Sequence, residues 1–202
     1  MNKQNFGYTI LFTAVVSFVF VLALAVVNEV TADQIQFNRE VRLVRSVLDA
    51  MGVEFEDDEH ARELFNDVQQ VEQNGLSLYR FARNEEVLYA KQYSGAGLWG
   101  PIRGHLGIRA DGERTLGLTI LEHDETPGLG GRIDEPWFQE QFRNKRLVDG
   151  RIRMGSRDGQ GDFVEDSGEF DGITGATSTS QAMERIINNH LEEITRALGG
   201  AS

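Results

Sequence analysis

The chain has 202 residues, of which 40% are hydrophobic and 26% charged, which is enough for one sizeable hydrophobic core. Lys3 is the only charged side chain before Glu29, so residues 28–202 carry 19 basic and 32 acidic side chains, a net charge of −13. A domain this acidic repels phosphate backbones, so we do not expect it to bind nucleic acid. The absence of cysteine excludes disulfides, cysteine-ligated iron–sulfur clusters and zinc ribbons within the chain.

The N-terminal segment predicts a transmembrane helix. Residues 7–27 (GYTILFTAVVSFVFVLALAVV) carry no charge, and about 20 apolar residues in a helix cross a bilayer. A retained anchor is favoured over a cleaved signal peptide because ALAVVNEV is a poor cleavage site. The α-amino group and Lys3 keep residues 1–6 in the cytoplasm under the positive-inside rule. We therefore expect a single-pass protein of the bacterial inner membrane, with residues 28–202 on the periplasmic side.

Two amphipathic helices are predicted next, over residues 33–51 and roughly 58–73. Their apolar residues recur at spacings of three and four, and Gly52 and the dipeptide NG follow as stop signals. The predicted inward residues are Phe37, Val41, Val44, Leu48 and Met51 in the first helix and Ala61, Leu64, Phe65, Val68 and Val71 in the second.

The middle of the chain has strand character. Residues 76–82 and 86–93 alternate apolar and polar side chains, and residues 102–110 and 114–123 flank the turn DGE, which predicts a hairpin. Further short strands are predicted at residues 147–154 and 162–165.

The loop HDETPGLGG (123–131) precedes a short predicted helix, with Asp134 as its cap and Pro136 in its first turn. The last predicted helix covers residues 178–198. Its inward residues would be Met183, Ile186, Ile187, Leu191, Ile194 and Leu198. These elements predict an α+β fold, in which one transmembrane helix is followed by a domain of mostly antiparallel strands with flanking helices.

Residues 171–180, DGITGATSTS, lead into the last helix. A helix start offers free N–H groups and the positive end of the helix dipole, which together favour an anion. Gly175 and Ala176 would leave room for a phosphate, and the hydroxyl groups of Thr174, Thr177, Ser178, Thr179 and Ser180 would supply donors. Judged from these residues alone, ordinary helix capping by Ser and Thr is the favoured explanation.

Three sequence blocks resemble a known family. DGITGAT resembles the flavinylation motif Asp-x-x-(Ser/Thr)-Gly-Ala-Thr of the FMN-binding domain family, and LEHDETPGLGG resembles the His-x-Glu-Thr-Pro-Gly-Leu-Gly loop of the same family. YSGAGLWGPIRG is similar to a Ser-Gly-x-Gly-Leu-Trp segment of the family's quinone-reductase branch. The blocks stand in the family's order over about 90 residues. The defined motif positions are Asp171, Thr174, Gly175, Ala176 and Thr177.

The resemblance implies an electron-transfer subunit of a membrane respiratory complex, with FMN joined covalently to Thr177 as a phosphoester. Two branches fit: the C subunit of the Na⁺-translocating NADH:quinone reductase, which the blocks favour, and the G subunit of the Rnf-type ferredoxin:NAD⁺ complex, which the short chain favours. The implied partners are the other integral-membrane subunits and, during maturation, a flavin transferase. A stand-alone flavoprotein and a non-redox anchored module whose TGAT stretch is only a helix cap remain alternatives.

The resemblance also assigns a site in which no residue is catalytic and no metal is bound. Its cofactor-binding residues would be Thr177, Thr174, Gly175, Ala176, Ser178, Glu125, Thr126, Leu129, Gly130 and Trp99. Asp171 would serve either in recognition by the flavin transferase or as a turn-forming residue. Trp99 or Leu98 would pack near the flavin ring or in the core, and Arg153 or Arg157 would pair with the phosphate or face solvent. His123 and Glu125 are weak evidence for a metal.

Overall fold

The computed structural model describes residues 3–83, 86–155 and 158–199, with side chains from Phe6 onwards. The chain forms two compact units, Met1–Val41 and Arg42–Ser202. Helix α1 runs from Lys3 to Ala50 and contains a stretch long and apolar enough, by length and composition, to cross a membrane. The predicted pair of helices is therefore one continuous helix. Residues 28–32 contain neither glycine nor proline, so nothing in the sequence interrupts the helix there.

The second unit is built on a five-stranded sheet in which each strand pairs antiparallel with the next along the chain. The sheet strands are β1 (Gln69–Gln73), β2 (Leu76–Arg83), β3 (Glu86–Ala96), β4 (Pro101–Arg109) and β5 (Thr115–Glu122). The other elements are α2 (Asp58–Phe65), a 3-10 helix (Gly130–Asp134), α3 (Pro136–Glu140), β6 (Arg153–Met154), β7 (Glu169–Phe170) and α4 (Thr177–Gly199). The arrangement is α+β, as predicted. The four central strands, the hairpin of β4 and β5 and the last helix lie where the sequence placed them.

The second predicted helix is wrong beyond Phe65. Residues 69–73 form β1, whose Val71 pairs with Leu78 of β2. Asn74 and Gly75 have φ values of 50° and 80°, which is the backbone of a tight hairpin turn that Asn-Gly favours. The NG dipeptide is therefore a hairpin turn and not a helix stop.

The strands predicted after residue 146 are mostly absent from the described residues. Of the two segments predicted as strands, the described residues contain only Arg153–Met154 in a strand. This strand pairs in parallel with Glu169–Phe170, which was not predicted. Residues 162–165 are not a strand because the backbone carbonyls of Asp162 and Val164 each accept a hydrogen bond from the buried Lys145 Nζ at 2.7 Å. The Lys145 ammonium group therefore supplies the hydrogen bonds that a neighbouring strand would otherwise donate to these carbonyls.

The prediction that Asp134 caps the short helix is also wrong. The residue before α3 is Glu135, whose side chain makes no capping hydrogen bond, although Pro136 does stand at the first helical turn. Asp134 ends the 3-10 helix, and its carboxylate contacts His123 instead.

The sheet carries a hydrophobic core on each face. One core lies between the sheet and α4, and the other lies between the sheet, α2 and the C-terminal part of α1. Of the inward residues predicted for α4, Leu198 is half-buried and packs against the core, while the rest are buried. Val44 and Leu48 of α1, and Met51 directly after it, are buried as predicted, whereas Phe37 is exposed. Gly107 permits this packing, because a Cβ there would lie 1.8 Å from the Ala50 carbonyl oxygen.

A buried polar cluster sits where α1 meets the sheet. Ser46 Oγ lies 2.8 Å from His105 Nδ1 and 2.6 Å from Thr119 Oγ1. The other ring nitrogen of His105, Nε2, has no hydrogen-bond partner among the described residues. Burial lowers the pKa of His105 to about 4. The folded protein therefore keeps this imidazole neutral where an exposed histidine would already be charged.

This pKa predicts that the domain loses stability in mild acid. Between pH 6.5 and 4 the unfolded chain binds a proton at His105 that the folded chain excludes, so the free energy of unfolding falls as the pH falls through this range. The shift corresponds to about 3 kcal/mol. Urea unfolding of the full chain in detergent, followed by tryptophan fluorescence at several pH values, measures the slope. His105→Asn should flatten it, and an equal slope in both proteins would contradict the assignment.

Candidate functional site

A pocket of about 370 Å³ opens where three segments of the second unit meet. These segments are the β3–β4 loop, the loop that follows β5 and the first turn of α4. The lining residues are Leu98, Trp99, Glu125, Thr126, Leu129, Gly130, Gly175, Ala176, Thr177, Ser178 and Thr179. The structure thus brings together all of the predicted cofactor-binding residues except Thr174, which is exposed but does not line the pocket.

The first turn of α4 gives the pocket an anion-binding end. Thr177 and Ser178 are exposed there, at the beginning of the helix. The first N–H groups of any helix have no acceptor within the helix. Ala176, which precedes Thr177, carries no side-chain oxygen that could cap them. The helix dipole adds a partial positive charge at the same place, so a phosphate or carboxylate is favoured.

The backbone conformation at Gly175 favours glycine independently of any ligand. Its φ is 79°, in the left-handed region that side chains other than glycine adopt at a cost. A Cβ at this position would lie 3.7 Å from Leu129 Cδ2, which is ordinary van der Waals contact. The left-handed backbone of the turn into α4 is therefore a sufficient reason for glycine at position 175, and the room for a phosphate stays a prediction.

Two of the five hydroxyl residues serve the fold. Ser180 Oγ accepts a hydrogen bond from Ile173 N at 2.9 Å and donates one to Ala176 O at 3.0 Å, which closes the turn in front of α4. Thr179 Oγ1 donates to Glu125 Oε2. Both side chains are buried. Of these five residues, Thr177 and Ser178 present exposed hydroxyl groups to the pocket, and the exposed Thr126 also lines it.

Glu125 connects the three segments that form the pocket. Its side chain is only 4% exposed, and Oε1 accepts hydrogen bonds from Leu98 N at 2.7 Å and Trp99 N at 3.2 Å. Oε2 accepts from Thr179 of α4. This set of hydrogen bonds could not be predicted from the sequence, because the donors and their common acceptor are far apart along the chain.

An apolar rim surrounds the mouth of the pocket. The side chains of Leu98, Trp99 and Leu129 are 54%, 69% and 48% exposed. Trp99 is therefore not a core residue, and its contact with a flavin ring stays a prediction. Large exposed apolar side chains at a concave site are typical of a ligand-binding surface.

His123 supports the loop that carries Glu125. Its Nδ1 accepts a hydrogen bond from Glu125 N at 3.0 Å, and its Nε2 lies 2.8 Å from Asp134 Oδ2. Since Nδ1 accepts, Nε2 carries the hydrogen that Asp134 receives. No group of three His, Asp or Glu side chains in the described ranges is arranged to hold a metal ion.

Asp171 lies outside the pocket and organises a neighbouring loop. Its side chain is buried, and Oδ2 accepts hydrogen bonds from Gln160 N at 2.8 Å and Gly161 N at 3.0 Å. Its backbone N–H donates to Gln141 Oε1 at 2.6 Å. Arg153 is exposed and does not line the pocket, and Arg157 lies outside the described residues.

The segment that contains the pocket is similar to a known domain family. Residues 97–192 match the family model described as FMN-binding domain, which confirms the resemblance found in the sequence. In sequence the chain is similar to the C subunit of the Na⁺-translocating NADH-quinone reductase. It is 37% identical to the Neisseria meningitidis serogroup A protein over 90 residues, which is 45% of this chain and 35% of that one. With the Yersinia pestis protein it shares 37% identity over 100 residues, 49% of this chain and 38% of that one.

Two crystal structures share the fold, which confirms the predicted α+β class. The C subunit of this reductase from Parabacteroides distasonis superposes with a TM-score of 0.64 at 22% identity, over 81% of this chain and 95% of that one. NqrC of Shewanella oneidensis gives a TM-score of 0.57 at 18% identity, over 77% of this chain and 99% of that one. The matched segment spans little more than a third of the Neisseria and Yersinia relatives.

Removal of the Ser180 hydroxyl should destabilise the domain. Ser180→Ala leaves the Ile173 N–H without its acceptor in a buried place, which costs about 1–3 kcal/mol. Ser178→Ala, which truncates an exposed neighbour, should change the free energy of unfolding by less than about 0.5 kcal/mol. Urea unfolding of the two full-length variants compares them directly, and equal stabilities would show that the Ser180 bonds do not stabilise the helix start.

Proposed function

We propose that this chain is the electron-transfer subunit of a membrane complex of the Na⁺-translocating NADH:quinone reductase type, with FMN joined to Thr177 through a phosphoester. One observation carries the proposal: the exposed Thr177 hydroxyl stands at the anion-binding start of α4, in a pocket with an apolar rim. The relatives are named as the C subunit of this reductase. That the chain takes part in the reaction of such a complex, and acts on its substrates, is likewise proposed.

The residues of the pocket fit the two ends of FMN. The free N–H groups of the first turn of α4 would hold the phosphate, and Leu98, Trp99 and Leu129 would contact the flat isoalloxazine ring. The bound flavin would supply the redox chemistry. The chain itself binds and orients it, so no catalytic residue is proposed.

The tether would be formed in maturation by a flavin transferase that uses FAD. Thr177 Oγ would give up its proton and form a bond to the phosphorus on the FMN side of FAD. The bond from that phosphorus to the bridging oxygen would break, and AMP would leave with this oxygen. The product is a phosphodiester with one negative charge, which the start of α4 accommodates. Outside the cytoplasm a covalent bond also prevents loss of a cofactor that could not be replaced there.

Asp171 belongs to the proposed flavinylation motif, but its carboxylate is buried against the backbone of Gln160 and Gly161. A transferase acting on the folded domain would have little access to this side chain. We therefore propose that the motif needs Asp171 mainly to hold the loop beside the helix start. A Gln160→Pro variant, which removes one of the two N–H donors, should then impair flavinylation. Full flavinylation of that variant would favour direct recognition of Asp171.

The G subunit of an Rnf-type complex is the second candidate, and a stand-alone flavoprotein is the third. The names of the relatives favour the first. Copurification from native membranes separates the three. Quinone-reductase subunits are expected with the intact chain, whereas Rnf subunits, or no membrane partner, would overturn the assignment.

The apolar stretch of α1 supports a proposal for the location of the domain. We propose that residues 1–6 lie in the cytoplasm and that the domain lies in the periplasm, anchored in the inner membrane by residues 7–27. A C-terminal alkaline phosphatase fusion should be active in cells, because that enzyme folds only after export. An inactive fusion that is nevertheless produced would place the domain in the cytoplasm.

Thr177→Ala should abolish covalent flavin. Intact mass of the native protein from cells that contain the transferase should exceed the chain mass by FMN less one water, and the variant should lack this increment. Ser178→Ala, which removes the adjacent exposed hydroxyl, should retain it. An unmodified wild-type chain from such cells would refute the proposal and leave a non-redox module.

A further inference from the structure

Glu125 is a buried acid in the wall of the pocket whose oxygens are already engaged. Oε1 faces two backbone N–H groups, and Oε2 faces the Thr179 hydroxyl. Backbone N–H groups can only donate, and an ionised carboxylate can only accept. The surroundings are therefore those of a carboxylate anion, and its contacts are with the protein.

Two neighbouring glycines, Gly97 and Gly130, lie so close to this carboxylate that a Cβ would collide with it. A Cβ at Gly97 would lie 2.5 Å from Glu125 Oε1, and a Cβ at Gly130 would lie 2.6 Å from Oε2 and 2.4 Å from Thr179 Oγ1. These distances are shorter than real Cβ contacts. Neither glycine has a positive φ, so it is the close approach of neighbouring atoms, the carboxylate oxygens among them, that disfavours a side chain at these positions. At Gly97 a Cβ would also lie 2.9 Å from the Gly100 carbonyl oxygen and from Ile102 Cδ1.

We propose that Glu125 is a positioning residue that closes the pocket, and that its fixed negative charge lowers the midpoint potential of the flavin. The first part follows from the contacts. The carboxylate holds the β3–β4 loop, which carries Leu98 and Trp99, and the first turn of α4, which carries Thr177, against the loop after β5. Both proposed attachment points of the flavin therefore depend on one side chain.

The second part rests on the proposed function, because it requires FMN in this pocket. Reduction of a flavin adds negative charge to the ring system. A buried anion in the wall of the same pocket opposes that charge, and the low dielectric of the wall strengthens the effect. The oxidised form is favoured, so the potential falls.

The two parts can be separated by substitution. Glu125→Gln keeps an oxygen for the two backbone N–H groups and offers an N–H to the Thr179 hydroxyl, so it preserves the connection and removes the charge. Glu125→Ala removes both. Glu122→Gln is the matched control, because Glu122 is an exposed carboxylate on β5 that pairs with Arg103 and does not line the pocket.

Hydrogen exchange tests the positioning role without any flavin. In full-length protein produced without the transferase, Glu125→Ala should speed exchange in peptides covering residues 94–101 by about tenfold, the loss expected for one or two hydrogen bonds. Glu125→Gln and Glu122→Gln should exchange like the wild type. Unchanged exchange in Glu125→Ala would overturn the positioning role.

Redox titration of the flavinylated proteins tests the charge. Glu125→Gln should keep full flavin occupancy by intact mass and show a higher midpoint potential than both the wild type and Glu122→Gln. An unchanged or lower potential would overturn the charge effect. If the wild type carried no flavin, the proposed function and the charge effect would fall together, while the exchange result would still decide the positioning role.

Discussion

The Glu125 carboxylate is the contact on which the pocket depends. It joins three segments that are far apart in the sequence, and each contributes a different part of the site: the apolar rim, the glycine-rich turn and the helix start. A buried anion is stable only when donors surround it, and here two backbone N–H groups and one hydroxyl do so. The carboxylate oxygens also come too close to Gly97 and Gly130 to leave room for a side chain at either position.

The rest of the domain supports the start of α4. The helix packs along one face of the sheet, and its first turn is fixed by Ser180 and by the left-handed backbone of Gly175. The exposed Thr177 is therefore presented by a rigid element, with a hydrophobic core behind it. The proposed tethered flavin would need this rigidity, because its distance and orientation relative to an electron donor would have to be maintained without enclosure in a deep cavity.

Much of the candidate site could be read from the sequence because its motifs are local. The short blocks that contain Trp99, Glu125 and Thr177 can each be recognised from a few consecutive residues. The structure places all three residues around one pocket. The roles of individual side chains could be predicted less well from the sequence. Thr179 looked like a donor to a ligand, but it donates to Glu125, and the exposed Trp99 could equally have been a core residue.

By itself, the sequence determined the apolar helix at the N-terminus, the four central strands with one hairpin, the amphipathic last helix and the block of residues at its start. Each of these depends on periodicity or on a turn dipeptide within a few residues. The tertiary structure decided that residues 69–73 are a strand, that Lys145 replaces a strand partner for residues 162–165, and that Asp171 is buried beside a loop. These outcomes depend on partners distant in the chain, and only folding brings the donors and acceptors within hydrogen-bonding distance.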